Sequence, residues 1–197
     1  MTEQDGPDAD PDGSKDDEPA PNAGEVGGDE PVMTTDEVNA DGATEKDGTF
    51  LVTAADEGSA VLKDVTDGQV HALSSNPGVE RHDAVEGVVA SDPPLNVSWR
   101  LVEIRERRAL SVEESAESPT ATTKGIAAER DAGDLTRRPR AGTGEIHVIT
   151  VPEGTTERAV RDVLDDEEGL LARAARLGVS RVEIRSAPGV VSVRYMP

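Results

Sequence analysis

The chain has 197 residues, with 41 acids against 20 bases, no cysteine and a net charge of -21. The lack of Cys excludes disulfides and thiolate metal sites. No apolar run approaches the about 20 residues that a membrane-spanning helix needs, and the N-terminus carries neither a basic nor an apolar leader region. A cytoplasmic protein with no membrane partner is therefore the expectation. The acidity is uneven: residues 1–48 hold 16 acids and 2 bases, and the bases of the whole chain are 16 Arg to 4 Lys. A surface crowded with Asp and Glu and poor in Lys suits a cytosol of high salt, where self-repulsion is screened and net charge maintains solubility.

Residues 1–47 are rich in Asp, Gly, Pro and Glu and have no aromatic residue. They read as a disordered acidic tail, because they cannot bury enough apolar surface to offset their ordering entropy. A nascent helical turn is the most that residues 34–38 suggest. Met33 stands just before the folded part as an alternative start to Met1. From Gly48 the texture changes. Strands are expected at 49–54, 60–65, 69–73, 83–90 and 96–110, separated by Gly, Pro, Asn and Asp turns. Gly87 predicts a bulge or bend. In the fifth strand Val97, Trp99 and Leu101 share one parity and Val102 and Ile104 the other. That slip predicts a bulge at Leu101-Val102. Five short strands over residues 48–112 predict a small antiparallel β-barrel of the oligonucleotide/oligosaccharide-binding (OB) or SH3-like kind.

Residues 113–141 read as a linker with a short helix, capped by Thr123 and running to about Leu135. Arg137, Arg138 and Arg140 then follow its C-terminus. This helix is expected to dock the barrel on the last unit. Residues 142–197 predict a β-α-α-β-β layer, making the whole an α+β fold. The strand is 146–151. One helix starts at Thr155, and a second, capped by Asp165 or Asp166, carries Leu170, Leu171, Ala174, Ala175 and Leu177 on one stripe and stops at Gly178. Ala187-Pro188-Gly189 turns between two alternating strands that pair antiparallel. Both helices are expected on one face of the sheet.

Four stretches carry a resemblance. Gly48-Thr49-Phe50-Leu51-Val52-Thr53, Asp67-Gly68-Gln69-Val70-His71, Ala141-Gly142-Thr143-Gly144-Glu145-Ile146-His147-Val148 and Pro188-Gly189-Val190-Val191-Ser192-Val193-Arg194-Tyr195 resemble a haloarchaeal protein family classed only as domain of unknown function family 5812. The resemblance covers about residues 48–197 and leaves out the acidic tail. It agrees with the salt-adapted composition and implies no activity, cofactor or site residue.

Catalytic and metal chemistry find no foothold in the residues. His71, His82 and His147 lack metal-ligand spacing. Asp165-Asp166-Glu167-Glu168 reads as first-turn acids matched to a helix dipole and lacks the glycine turn of a calcium loop. Gly142-Thr143-Gly144 precedes a strand, whereas a phosphate loop opens a helix. No serine sits in a nucleophile elbow. The expectation is therefore no enzyme, no cofactor and no metal. The arginines stand out instead. Arg100, Arg105, Arg107 and Arg108 lie on or beside the fifth strand, and Arg181, Arg185 and Arg194 on the polar face of the last sheet. They read either as a phosphate-tracking groove or as cross-strand partners of Glu. Trp99 is either a stacking platform or a core anchor. The function expected is a non-enzymatic binding module of a halophilic archaeon. Its partner is a macromolecule: single-stranded nucleic acid or RNA held by the barrel, or alternatively a protein.

Overall fold

The structure, a computed structural model, describes residues 36–38 and 42–197. The tail reading of the remaining N-terminal residues lies outside the described residues. The described residues form one unit.

Strand β1 (Asp36–Val38) pairs antiparallel with the start of β2 (Thr44–Ala55), Val38 opposite Thr44. The helical turn suggested there is thus a strand, because one edge of β2 between Thr44 and Gly48 is left open by β3 and accepts an extended segment. Strand β2 itself starts at Thr44, ahead of Gly48. Strands β3 (Ala60–Asp64), β4 (Val70–Leu73), β5 (Asp83–Ser91) and β6 (Trp99–Ala109) follow. The sheet runs β1-β2-β3-β4-β6-β5, and β5 pairs back onto β2, closing a ring of five strands. The seam between β4 and β6 is one parallel bridge, Leu73 to Trp99, whereas β5 pairs with β6 along its length. Phe50, Val52, Leu62, Leu73, Val85 and Val89 fill the ring, with Val79 of the connecting loop buried among them. Asn76 clasps that loop, accepting from the Gly78 and Val79 N–H groups and donating to the Asp56 and Val79 carbonyls.

Strand β6 carries two register shifts. Val102 has no partner between the pairs Val89–Leu101 and Val88–Glu103, and Arg105 has none between Gly87–Ile104 and Glu86–Glu106. The first is the bulge that the parity slip predicts. Gly87 answers the same crowding: a Cβ there would stand 2.0 Å from the Glu103 carbonyl oxygen.

The second sheet begins with β7 (Ser111–Glu114), which straddles the boundary expected at 112 between the barrel and the linker. Helix α1 (Ala121–Ala128) is capped by Thr120, whose hydroxyl accepts from the Thr123 N–H at 3.2 Å. It therefore starts and ends earlier than the expected helix from Thr123 to Leu135. Gly133, at φ 101°, turns the chain, and its N–H donates to the Thr150 carbonyl at 2.7 Å. Leu135–Pro139 is then strand β8, so Arg137 and Arg138 lie on a strand and not at a helix C-terminus. Next come β9 (Glu145–Thr150), a 3-10 turn (Glu153–Thr155), α2 (Thr156–Asp165), α3 (Glu167–Arg176), β10 (Arg181–Ala187) and β11 (Val190–Met196). The order is β7-β10-β11-β9-β8. Gly178, at φ 66°, ends α3 as expected. Thr155 and Asp166 stand at the caps of α2 and α3, but their side chains make no capping bond.

Helices α2 and α3 cover one face of this sheet. Leu170, Leu171, Ala174 and Ala175 share a core with Val182, Ile184, Val191 and Val193 beneath them and with Leu51, Val65 and Ala84 of the ring. Docking of the ring therefore runs through α3. Helix α1, expected to do this, instead packs Ala127 on Val148 and Val190 of the opposite face. Charged pairs rim the α3 junction: Lys63 with Glu168 at 2.7 Å and Arg81 with Glu167 at 3.7 Å. Among the described residues no helix is long and apolar enough to cross a membrane.

Candidate functional site

The sequence-selected arginines fall into two groups. On the ring, each has a carboxylate. Arg100 donates to Asp92 at 2.5 Å, Arg105 to Asp47 at 2.7 Å, and Arg108 to Glu106 at 2.5 Å. Arg107 pairs with the buried Asp83 at 2.6 Å and donates to the Gly78 carbonyl. On the α1 face of the second sheet, Glu183 is 5% exposed. It accepts from Arg185 Nε and from Arg194 at 3.1 Å, with Arg181 at 3.9 Å. The hydrogen bond from Arg185 and the surrounding guanidiniums hold its carboxyl below the ordinary range, against burial. Arg185 also reaches Glu117 at 2.7 Å, and Arg181 reaches Glu113 at 3.4 Å. Carboxylates on the same strand, on neighbouring strands or in adjoining loops account for all seven. Trp99 is partly buried against the ring core, its ring edge-on to His71 at 4.4 Å.

Strand β8 differs. Among the described residues no carboxylate pairs with Arg137, Arg138 or Arg140, nor with Arg130 just past α1; the Arg140 guanidinium donates to the Thr143 carbonyl, at 3.3 Å. Arg130, Asp134, Leu135, Thr136, Arg137 and Arg138 line one shallow cleft of about 450 Å³. Sequence reasoning missed Arg130 and Leu135 by running the helix through them; Gly133 and Pro139, bracketing a five-residue run, are the signal that marks a strand there.

The backbone of β8 is open on one side. The Thr150 N–H donates to Asp134 and the Arg140 N–H to Gly144, which fixes residues 134, 136, 138 and 140 as those bonded to β9. Antiparallel alternation then turns the N–H and C=O of Leu135 and Arg137 outward, with the carbonyl of Pro139. Leu135 is 48% exposed. This edge is held in place from behind. Glu145 on β9 takes a two-pronged bond from Arg173 of α3 at 2.8 and 2.9 Å and lies 2.6 Å from His147 Nε2. Burial lowers the His147 imidazole despite Glu145, and burial pushes the neighbouring Tyr195 phenol up to about 12. The arrangement can receive an extended strand: it offers unpaired amides, one exposed apolar side chain and guanidiniums that no carboxylate pairs with, although Asp134 lines the same cleft.

No curated protein and no solved structure matches the chain. A family model matches residues 46–186, from the buried start of the ring into β10, and the chain belongs to that family, a family of unknown function (DUF5812).

Proposed function

We propose that this protein is a non-enzymatic, salt-adapted cytoplasmic module that binds a protein partner by adding an acidic, extended segment to the edge of β8. The carrying observation is that the arginines without ion-paired carboxylates, Arg130, Arg137 and Arg138, lie on or beside a strand whose outward amides are unpaired. Edge addition draws affinity from main-chain bonds and selectivity from the flanking side chains.

The competing reading is single-stranded nucleic acid on the ring, taken as a barrel of the OB or SH3-like kind. It needs free guanidiniums and stacking rings. The ring arginines are each occupied by a carboxylate. Phe50 and Tyr195 are buried, and Trp99 lies against His71. These facts favour the protein partner. The test titrates the full chain with a labelled peptide of alternating Val and Glu, and separately with single-stranded RNA, in high-salt buffer. Peptide binding that weakens at least tenfold in Arg137→Glu, with no RNA binding, is the expected result. RNA binding lost in the same variant would replace this reading with the nucleic-acid one.

A further inference from the structure

We propose that the segment received by β8 is β7 of a second copy of this chain, so that the second sheet continues from molecule to molecule. This rests on the reading of β8 as a receiving edge and names its partner. Strand β7 is the opposite edge of the same sheet. Its sequence is Ser-Val-Glu-Glu, and Ser111, Glu113 and Glu114 are exposed. Its pairing with β10 is parallel, with the Ser111 N–H donating to Ser180 and the Ser115 N–H to Ile184. In a parallel ladder a residue bonds its neighbour through both of its backbone groups, so Val112 and Glu114 turn theirs outward. Glu114 has no ion-pair partner among the described residues.

One antiparallel register matches the two edges best. With Glu114 opposite Arg137, Glu113 falls opposite Arg138 and Val112 opposite Pro139. Glu114 and Arg137 then exchange both backbone bonds, and the Val112 N–H reaches the Pro139 carbonyl, while the Val112 carbonyl stays open to water because proline has no N–H to return. The faces agree as well. Glu114, like its neighbour Ile184, and Arg137, like its neighbour His147, lie on the α2–α3 face, whereas Glu113 and Arg138 lie on the α1 face. The strand directions also agree. From β7 across to β8 the strands point up, up, down, up, down, so a copy placed side by side in the same orientation brings its β8 antiparallel to β7. Pairing β8 with β8 would set arginines against arginines, and β7 with β7 would set glutamates against glutamates. The complementary contact is therefore head-to-tail, pairing unlike edges instead of a patch with itself.

Sedimentation velocity of the full chain in molar KCl tests this, because there the repulsion between bodies of net charge -21 is screened to about 3 Å. A weak, concentration-dependent series of species is expected. Arg137→Glu alone and Glu114→Arg alone should each sediment as monomers with unchanged melting. Mixing the two variants should restore association, since each swapped edge then meets its complement. A wild type that stays monomeric at every concentration overturns the proposal, as does a mixture that remains monomeric. A monomeric wild type that still binds the Val-Glu peptide at β8 would sink the self-partner and leave the docking edge standing; one that binds neither would sink both.

Discussion

Lys46 offers the sharpest test of how the ring is held. Its place at the end of an acidic stretch suggests a solvated side chain, yet it is 2% exposed. Its ammonium lies 3.0 Å from Asp64 Oδ2 and 2.5 Å from Asp67 Oδ2, and it donates to Gln69 Oε1 at 3.0 Å. Asp64 is fully buried, and its other oxygen accepts from the Thr66 N–H at 2.7 Å. The lysine thus ties the start of β2 to the β3–β4 turn. Lys46→Met keeps most of the volume and leaves a buried carboxylate without its cation. Breaking such a pair costs about 3–5 kcal/mol. At about 2–4 °C per kcal/mol for a chain of this size, Tm should fall by about 6–20 °C. Adding Asp64→Asn removes the stranded charge and should recover at least about 1 kcal/mol of that loss. Burial alone would lower the Lys46 ammonium, but hydrogen bonds and charges from Asp67 and Asp64 outweigh it and hold it above its ordinary 10.5. Its contribution is therefore complete below pH 10.5 and disappears only as pH rises through the higher folded value. Asp67 is held below its ordinary 3.8, so its share is present above that pH and lost in acid. Calorimetry of wild type, single and double variants across pH is the assay. A loss under about 1 kcal/mol at neutral pH would refute the argument, because that is the range of an exposed pair.

Two further outcomes follow from the same geometry. Gly87→Ala places a Cβ 2.0 Å from the Glu103 carbonyl, a backbone atom that cannot swing aside; urea denaturation should show a loss of about 1–3 kcal/mol, and a neutral substitution would mean the β5–β6 pairing is looser than described. Glu183→Gln leaves Arg185 and Arg194 without their shared carboxylate. It should lower stability by about 3 kcal/mol in a thermal melt at neutral pH, and a change within about 0.5 kcal/mol would show that water serves these arginines equally well.

The strands of the ring, β9, α2, α3 and the closing hairpin are legible because each carries its own signal: alternation or a helical stripe, ended by Gly, Asn or Pro. Strands β7 and β8 are not. They are short edge strands, and in Ser-Val-Glu-Glu and Leu-Thr-Arg-Arg-Pro there is too little alternation to separate a strand from a linker. The placement of β6 between β4 and β5 is equally hidden, since one bridge at Trp99 decides it. For α3 the sequence shows which residues are apolar but not that they serve the ring and the sheet together; Leu51 and Ala84 reach it from more than eighty positions away. The arginines were visible as a class. Which of them are free was not, because Asp92, Asp47 and Glu117 arrive from loops and neighbouring strands that only the folded chain brings near.

The seam at Leu73 and Trp99 gives the ring a built-in order of opening. The β2–β5 ladder runs without a break and the β5–β6 ladder is long, interrupted only by its two bulges, whereas the join from β4 to β6 is one bridge supported by the Ser74 N–H to the Trp99 carbonyl. When the ring breathes, it parts there first and becomes a curled strip with β3–β4 on one free arm. Amide protons at the seam then trade with solvent long before those of Val85 or Val89. The indole of Trp99, at the lip of that parting, is a native reporter of it.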